Sequence, residues 1–257
     1  MITHLKYLVF LLFSLPFLPV LYLQAKKVKR LVPKLREAFI NIKSSIGTST
    51  KIIRMITIGE STIAGVGVKD HMDGITGHVA KTLAAMTDKK IEWEVIAKSG
   101  YSVKKNADFL IPQLPDVSVD IILIGVGAND TFEFNNTMTW RKNLTLLIKN
   151  IRNKHIACPI VFMHIPPVGQ FISFPKVMRI ILGNLTTLHG LALESIVSKC
   201  PNVYFLNKRI RLEDWAKECG TNVALKDFFC DGVHPSTLAY SQWGKEVGEF
   251  IVERKII

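Results

Sequence analysis

Asp231 and His234 stand three residues apart in the run Asp231-Gly232-Val233-His234-Pro235 near the end of the chain. That spacing puts both in one loop, where the carboxylate can accept the imidazole Nδ1–H and leave Nε2 to take a proton from a nucleophile. Ser61, in Gly59-Glu60-Ser61-Thr62, offers the hydroxyl such a pair needs, directly after an apolar run at 52–58. A serine where a strand turns toward a helix has an exposed hydroxyl, and nearby backbone N–H groups can meet a developing oxyanion. Glycine–serine turns are common, so Ser61 gains weight only from its partners.

Two further polar clusters follow apolar runs. In Ser99-Gly100-Tyr101-Ser102 the glycine lets its N–H approach a ligand without a Cβ in the way, although an ordinary turn glycine with positive φ accounts for it as well. In Gly125-Val126-Gly127-Ala128-Asn129-Asp130 two glycines permit a tight loop, and Asn129 either offers a side-chain N–H where charge develops or bonds to its own backbone. Taken together, a hydroxyl, an imidazole, a carboxylate and extra N–H donors are the parts of nucleophilic acyl transfer.

These clusters must be brought together by the elements between them. Residues 52–58, 91–97, 119–124, 159–165 and 202–206 read as strands, and 75–88, 137–153, 175–199 and a final stretch from Ser236 to about 253 as helices. The third run, VDIILI, is apolar almost throughout, as expected of a strand covered on both faces. Strands alternating with helices imply a parallel sheet with helices on both sides, because each parallel connection needs a crossover. Sites in such sheets form beyond the carboxyl ends of the strands, which is where all four clusters fall.

The chain of 257 residues, 48% hydrophobic and 21% charged, is expected to fold around a sizeable core. Of the formal charge of +12, residues 1–50 carry +7, beside the uncharged segment 7–23, YLVFLLFSLPFLPVLYL. Basic residues in that setting meet anionic lipid headgroups, and no nucleic-acid recognition motif accompanies them, so a membrane is the expected partner and nucleic acid is not. As a helix the segment spans about 25 Å, near the lower limit for a bilayer, with Pro16 and Pro19 as kinks. A cleaved signal peptide is disfavoured, since Gln24, Ala25, Lys26 and Lys27 follow in place of a small-x-small site. Lys6 alone precedes the run and six basic residues lie between Lys26 and Arg36, so the catalytic part is expected on the cytoplasmic side, with an exported placement as the alternative. Residues 27–47 repeat apolar positions at helical spacing, which predicts an amphipathic continuation, either interfacial or packed on the core. The expected division is therefore a membrane-anchor or interfacial helical segment at 1–50 and a catalytic domain at 51–257.

With its four blocks in this order over roughly 52–250, the chain resembles the SGNH (GDSL-type) hydrolase superfamily, and most of all its bacterial membrane-linked, lysophospholipase-like esterases. The resemblance implies a flavodoxin-like three-layer α/β/α sandwich with a central parallel sheet, preceded here by the hydrophobic helix. It implies Ser61 as nucleophile, His234 as general base oriented by Asp231, and an oxyanion hole made by the Ser61 and Gly100 N–H groups and the Asn129 side chain. Glu60 stands where the family motif has Asp, and Thr62 where it often has Leu; neither supplies the nucleophile, so activity is expected to persist. Asp130 is expected to fix its loop.

The implied activity is hydrolysis of small acyl esters or lysophospholipid-like substrates through an acyl-enzyme. The Phe-rich segments 131–136 and 166–176 are candidates for an apolar acyl pocket, or for packing under a loop. The alternatives are an acyltransferase or saccharide O-acetyl esterase using the same serine, and a membrane-tethered binding domain without chemistry. No cofactor is expected, because Gly65-Val66-Gly67 does not complete a dinucleotide fingerprint and no phosphate-loop lysine follows a glycine loop. No metal is expected either: His71 and His78, seven apart, read as surface histidines, and the four cysteines form no CxxC pair and read as reduced thiols.

Overall fold

The computed structural model describes residues 2–220 and 222–257. Its strands are β1 (Lys43–Ile46), β2 (Ile52–Gly59), β3 (Lys90–Ala97), β4 (Ile121–Gly125), β5 (Ile160–Phe162) and β6 (Val203–Phe205). Its helices are α1 (Ile2–Ser14), α2 (Leu18–Leu31), α3 (Ile75–Thr87), the short α4 (Val103–Lys105), α5 (Ala128–Phe132), α6 (Thr137–Lys154), α7 (Lys176–Val197), α8 (Leu212–Cys219) and α9 (Thr237–Glu253).

One mixed sheet runs in the order β1-β3-β2-β4-β5-β6, parallel from β3 to β6. Without its edge strand β1, this is the doubly wound order in which the winding reverses beside the first strand of the parallel set. The reversal lies between β2 and β4, whose last residues, Gly59 and Gly125, are paired. The next residues on each strand lead straight to Ser61 and Asn129.

Alternation along β2 assigns its two faces. Ile53 and Met55 pack with Val79 and Leu83 of α3 and Tyr240, Trp243 and Val247 of α9. Ile56 and Ile58 pack on the other side with Trp140, Leu144 and Leu147 of α6 and Ala192 and Leu193 of α7. Every residue of β4 is buried, as its unbroken apolar sequence predicts for a central strand. The result is the expected three-layer sandwich.

Upstream of the sheet the structure departs from the sequence reading. The amphipathic pattern at 27–47 does not continue as a helix: α2 ends at Leu31, Val32 is extended (ψ 121°), and Pro33 follows. A proline disfavours helical geometry in the residue before it, and that local rule overrides the periodicity. The chain then runs extended, and β1 adds to the sheet edge antiparallel to β3, so the sheet reaches back to residue 43. The apolar segment is helical with a 3-10 interruption at Leu15–Phe17, next to Pro16 and Pro19, where a break was expected. Within Leu5–Leu31 an 18-residue stretch has mean hydropathy 2.0 and is almost entirely exposed. Its inward residues Leu21 and Val28 pack against Phe171, Phe174 and Met178.

His71 is a second correction: it is 3% exposed and not a surface residue. Its backbone N–H donates to Ile40 O at 3.0 Å, so the extended linker covers it, and burial lowers the affinity of its ring for a proton. His78 is half-buried, with its proton affinity also lowered by burial. The four cysteines are free thiols.

Candidate active site

Ser61 enters a run of tight turns directly after β2. Glu60 N–H donates to Gly125 O at 3.0 Å, and Ile63 and Ala64 N–H donate back to Glu60 O, both at 2.9 Å. Gly59 is required here, because a Cβ on it would stand 2.1 Å from Gly125 O and displace β4. The serine is thereby held half-buried at the carboxyl rim of the sheet, above the crevice where the winding reverses.

Asp231 and His234 occupy the loop before α9, as their spacing predicts. His234 Nδ1 lies 2.7 Å from Asp231 Oδ2, and Asp231 Oδ1 accepts the backbone N–H of Val233 at 2.9 Å and of His234 at 2.7 Å. The Asp231 carboxylate has no exposed surface, whereas the imidazole keeps 21% of its own. Burial pushes this carboxyl up, but the hydrogen bonds from the His234 ring and backbone outweigh it and hold it below the usual carboxylate range. It is therefore an anion at neutral pH, suited to fix the ring and to stabilise its protonated form. The Phe-rich loop clamps this segment: Ser173 N–H donates to Gly232 O at 3.1 Å and Ser173 Oγ to Asp231 O at 2.9 Å. Gly232 permits that approach, with φ +85° and only 2.0 Å between an added Cβ and Ser173 Oγ.

Asn129 is the second residue of the short helix α5, which follows β4. Its Nδ2 donates to Glu60 Oε2 at 2.6 Å and, more weakly, to Tyr101 O at 3.3 Å. A side-chain amide has two hydrogens. One is fixed on Glu60, and the longer bond leaves the second open to a stronger acceptor. Glu60 also accepts the N–H of Ala128 at 2.8 Å and of Asn129 at 2.9 Å, so one fully buried carboxyl group joins the Ser61 turn to α5. Burial pushes Glu60 up to about 8, against the pull of these N–H donors. Asp130 is likewise buried, accepting Val103 N–H at 2.8 Å and Asn135 Nδ2 at 2.9 Å, and burial raises it to about 6. It ties α5 to the segment after Gly100, the loop-fixing part expected of it. Gly100 has φ +82° and nothing within 4 Å of where a Cβ would stand.

Ser61, Gly100, Asn129 and His234 line one cavity of about 120 Å³, together with Phe132, Pro166, Pro167 and Phe171 on one side. Asp231 stands behind the imidazole. Four segments far apart in sequence thus bring all five predicted site residues to one place. Sequence reasoning gave Glu60 no part in holding Asn129, although a carboxylate beside the serine was visible as an acceptor for loop N–H groups. It also missed Leu212, Trp215, Phe228 and Trp243, deeply buried residues that line the same cavity. Nothing in their local spacing marks them as more than core residues. Among the described residues no group of three or more His, Cys, Asp or Glu could hold a metal ion.

Residues 57–242 match the model of the GDSL-like Lipase/Acylhydrolase family. No curated protein matches the chain. Among solved structures, a lipase from a goat rumen metagenome is similar over 76% of this chain and 95% of its own, at 16% identity and TM-score 0.55. A lipase/acylhydrolase from Enterococcus faecalis is similar over 79% and 96%, at 19% identity and TM-score 0.54. A family 3 carbohydrate esterase from Clostridium thermocellum is similar over 79% and 97%, at 16% identity and TM-score 0.57. At these identities the likeness is one of fold.

Proposed function

The chain belongs to the GDSL-like lipase/acylhydrolase family of ester-bond hydrolases, and on that premise we propose that it is a membrane-attached serine esterase acting on small acyl or lysophospholipid-like esters. The observation that carries the reading is the 2.7 Å contact between Asp231 and His234 at the wall of the cavity that Ser61 also lines.

In this mechanism His234 Nε2 takes the Ser61 hydroxyl proton as Oγ attacks the ester carbonyl, and Asp231 steadies the imidazolium. The carbonyl oxygen becomes an oxyanion held by the Ser61 and Gly100 N–H groups and by the Asn129 Nδ2 hydrogen that Glu60 leaves free. On collapse His234 gives its proton to the departing alkoxide, leaving an acyl ester on Ser61. Water, deprotonated by the same imidazole, attacks that ester and releases the acid. Glu60 orients Asn129 and does not itself touch the substrate.

In this reading the helical segment through Leu31 and the basic residues up to Arg36 supply attachment, and the boundary with the catalytic part lies before Glu37, since residues 37–46 are already bound to that part. The exposed apolar helix and the basic residues from Lys26 to Arg36 suit a bilayer with anionic headgroups, and their position after the apolar run favours a cytoplasmic catalytic part.

A fluorophosphonate probe tests the nucleophile. It should label the wild-type chain and not Ser61→Ala, while hydrolysis of p-nitrophenyl acetate is lost in the same variant. Equal labelling of a folded Ser61→Ala chain refutes the assignment.

A further inference from the structure

We infer that the acyl group of the substrate is short, from acetyl to roughly five or six carbons, because the catalytic cavity ends on a closed aromatic floor. The inference rests on Ser61 being the nucleophile, since the acyl group then lies in that cavity, and it narrows the proposed substrates to small acyl esters, excluding long-chain lysophospholipids.

The floor is made by Leu212 and Trp215 of α8, Phe228, and Trp243 of α9. None is more than 3% exposed. Trp215 packs on Phe228 with ring centroids 5.7 Å apart and on Trp243 at 6.3 Å. Each ring is thus held by another and by its own element, so the floor has no loose side chain to swing aside. An acyl chain entering from Ser61 finds apolar lining throughout, from the more exposed Phe132 to these buried residues.

What lies beneath the floor prevents a deeper tunnel. Behind Trp243 the His164 ring stands edge-on at 6.1 Å, with Nε2 3.2 Å from Glu246 Oε2, and Lys208 Nζ is 2.6 Å from Glu246 Oε1. His164 is 1% and Glu246 8% exposed. A longer chain would have to part this buried charged group from its partners, which an apolar tail cannot replace. Capacity is therefore the cavity itself. An apolar cavity of about 150 Å³ in a protein accepts benzene, a six-carbon ligand; the one below Ser61 is 120 Å³.

Within that capacity each added methylene leaves water, which should raise kcat/KM by about fourfold. Beyond it, the gain reverses. The limit applies to the acyl group alone, since the departing alkoxide leaves toward His234, which protonates it.

The test is a series of p-nitrophenyl esters from acetate to palmitate on the full chain, with two variants that change the floor in opposite senses. Trp215→Leu enlarges the cavity. Ala239→Leu fills it from the start of α9, where Ala239 lines the wall at 3% exposure. The wild type should peak at or below six acyl carbons and fall at least tenfold by ten. Trp215→Leu should move the peak to longer chains by two carbons or more, and Ala239→Leu should move it to acetate. Fluorophosphonate labelling of each variant reports a folded site, and where one variant does not fold the other still gives its shift. A labelled wild type that peaks at ten carbons or more, or folded variants that leave the peak unmoved, overturns the chain-length inference and leaves the nucleophile standing. A folded wild type that takes no label and cleaves no ester overturns both.

Discussion

Replacing Asp231 by Asn changes the hydrogen-bonding sense of one atom and leaves the shape alone. Oδ1 already accepts two backbone N–H groups, at 2.9 and 2.7 Å, so the new amide keeps its oxygen there and turns its NH₂ toward His234 Nδ1. The ring must then accept at Nδ1 and carry its proton on Nε2, the nitrogen that has to receive the proton of Ser61. In a serine–histidine–aspartate relay this wrong tautomer lowers turnover by about 10⁴, which is about 5.4 kcal/mol in the barrier. All three contacts survive with the charge removed, so folding should lose only about 1–3 kcal/mol. For a chain of this size that is a Tm decrease of roughly 2–12 °C. Steady-state kcat on p-nitrophenyl acetate, with a thermal melt of the same sample, separates the two effects. A folded Asp231→Asn protein retaining turnover within tenfold of wild type would show that Asp231 does not set the tautomer of His234.

Asn129→Ala should lower kcat by about 10²–10³, the loss of one oxyanion donor, or about 2.7–4 kcal/mol, with a smaller change in KM; near-normal turnover removes the amide from the mechanism. Stability should decline from pH 5 to 8, because Asp130 and Glu60, raised to about 6 and about 8, take up protons on folding and give up that contribution as pH rises through those values. Melts of Asp130→Asn across this range should show a flatter decline. Glu246 acts in the opposite sense: burial raises it, but its bonds to His164 and Lys208 win and hold it at about 2, so stability is also lost as pH falls from about 4 toward 2. Cosedimentation with anionic lipid vesicles should weaken with salt and in a variant with Lys26, Lys27, Lys29 and Arg30 changed to Ser.

Periodicity made most of the sandwich legible. The predicted strand at 91–97 and helices at 75–88 and 137–153 correspond within a residue or two to β3, α3 and α6, because local apolar patterns match the faces that tertiary packing uses. The Ser236 cap is seen directly, its side chain accepting Ala239 N–H at 3.3 Å. β1 escaped notice because Lys43-Ser44-Ser45-Ile46 has no strand propensity of its own and is recruited by pairing with β3. The candidate site residues announced themselves through spacing and loop position. The floor did not: Trp215, Phe228 and Trp243 are ordinary core residues until the chain folds around an empty space, and volume has no signature in one dimension. Of the two Phe-rich segments, both earlier readings apply, since Phe132 and Phe171 line the cavity while Phe174 is 6% exposed and packs against the N-terminal helix.

The linker after that helix is not a slack string. Glu37 Oε1 accepts Ser99 N–H at 2.7 Å, Ala38 N–H donates to Ala64 O at 2.9 Å, and Phe39 N–H donates to Lys69 O at 3.1 Å. With Leu21 and Val28 seated against Phe171 and Phe174, the neck is stitched to the loops that carry Ser61 and Gly100. If, as proposed, the helix is embedded in a bilayer, the cavity lined by Ser61 would ride at a fixed height and tilt above the lipid, like a lamp on a rigid bracket. Which esters reach Ser61 then depends on where in the bilayer profile their carbonyl rests, as well as on the fit of their tails.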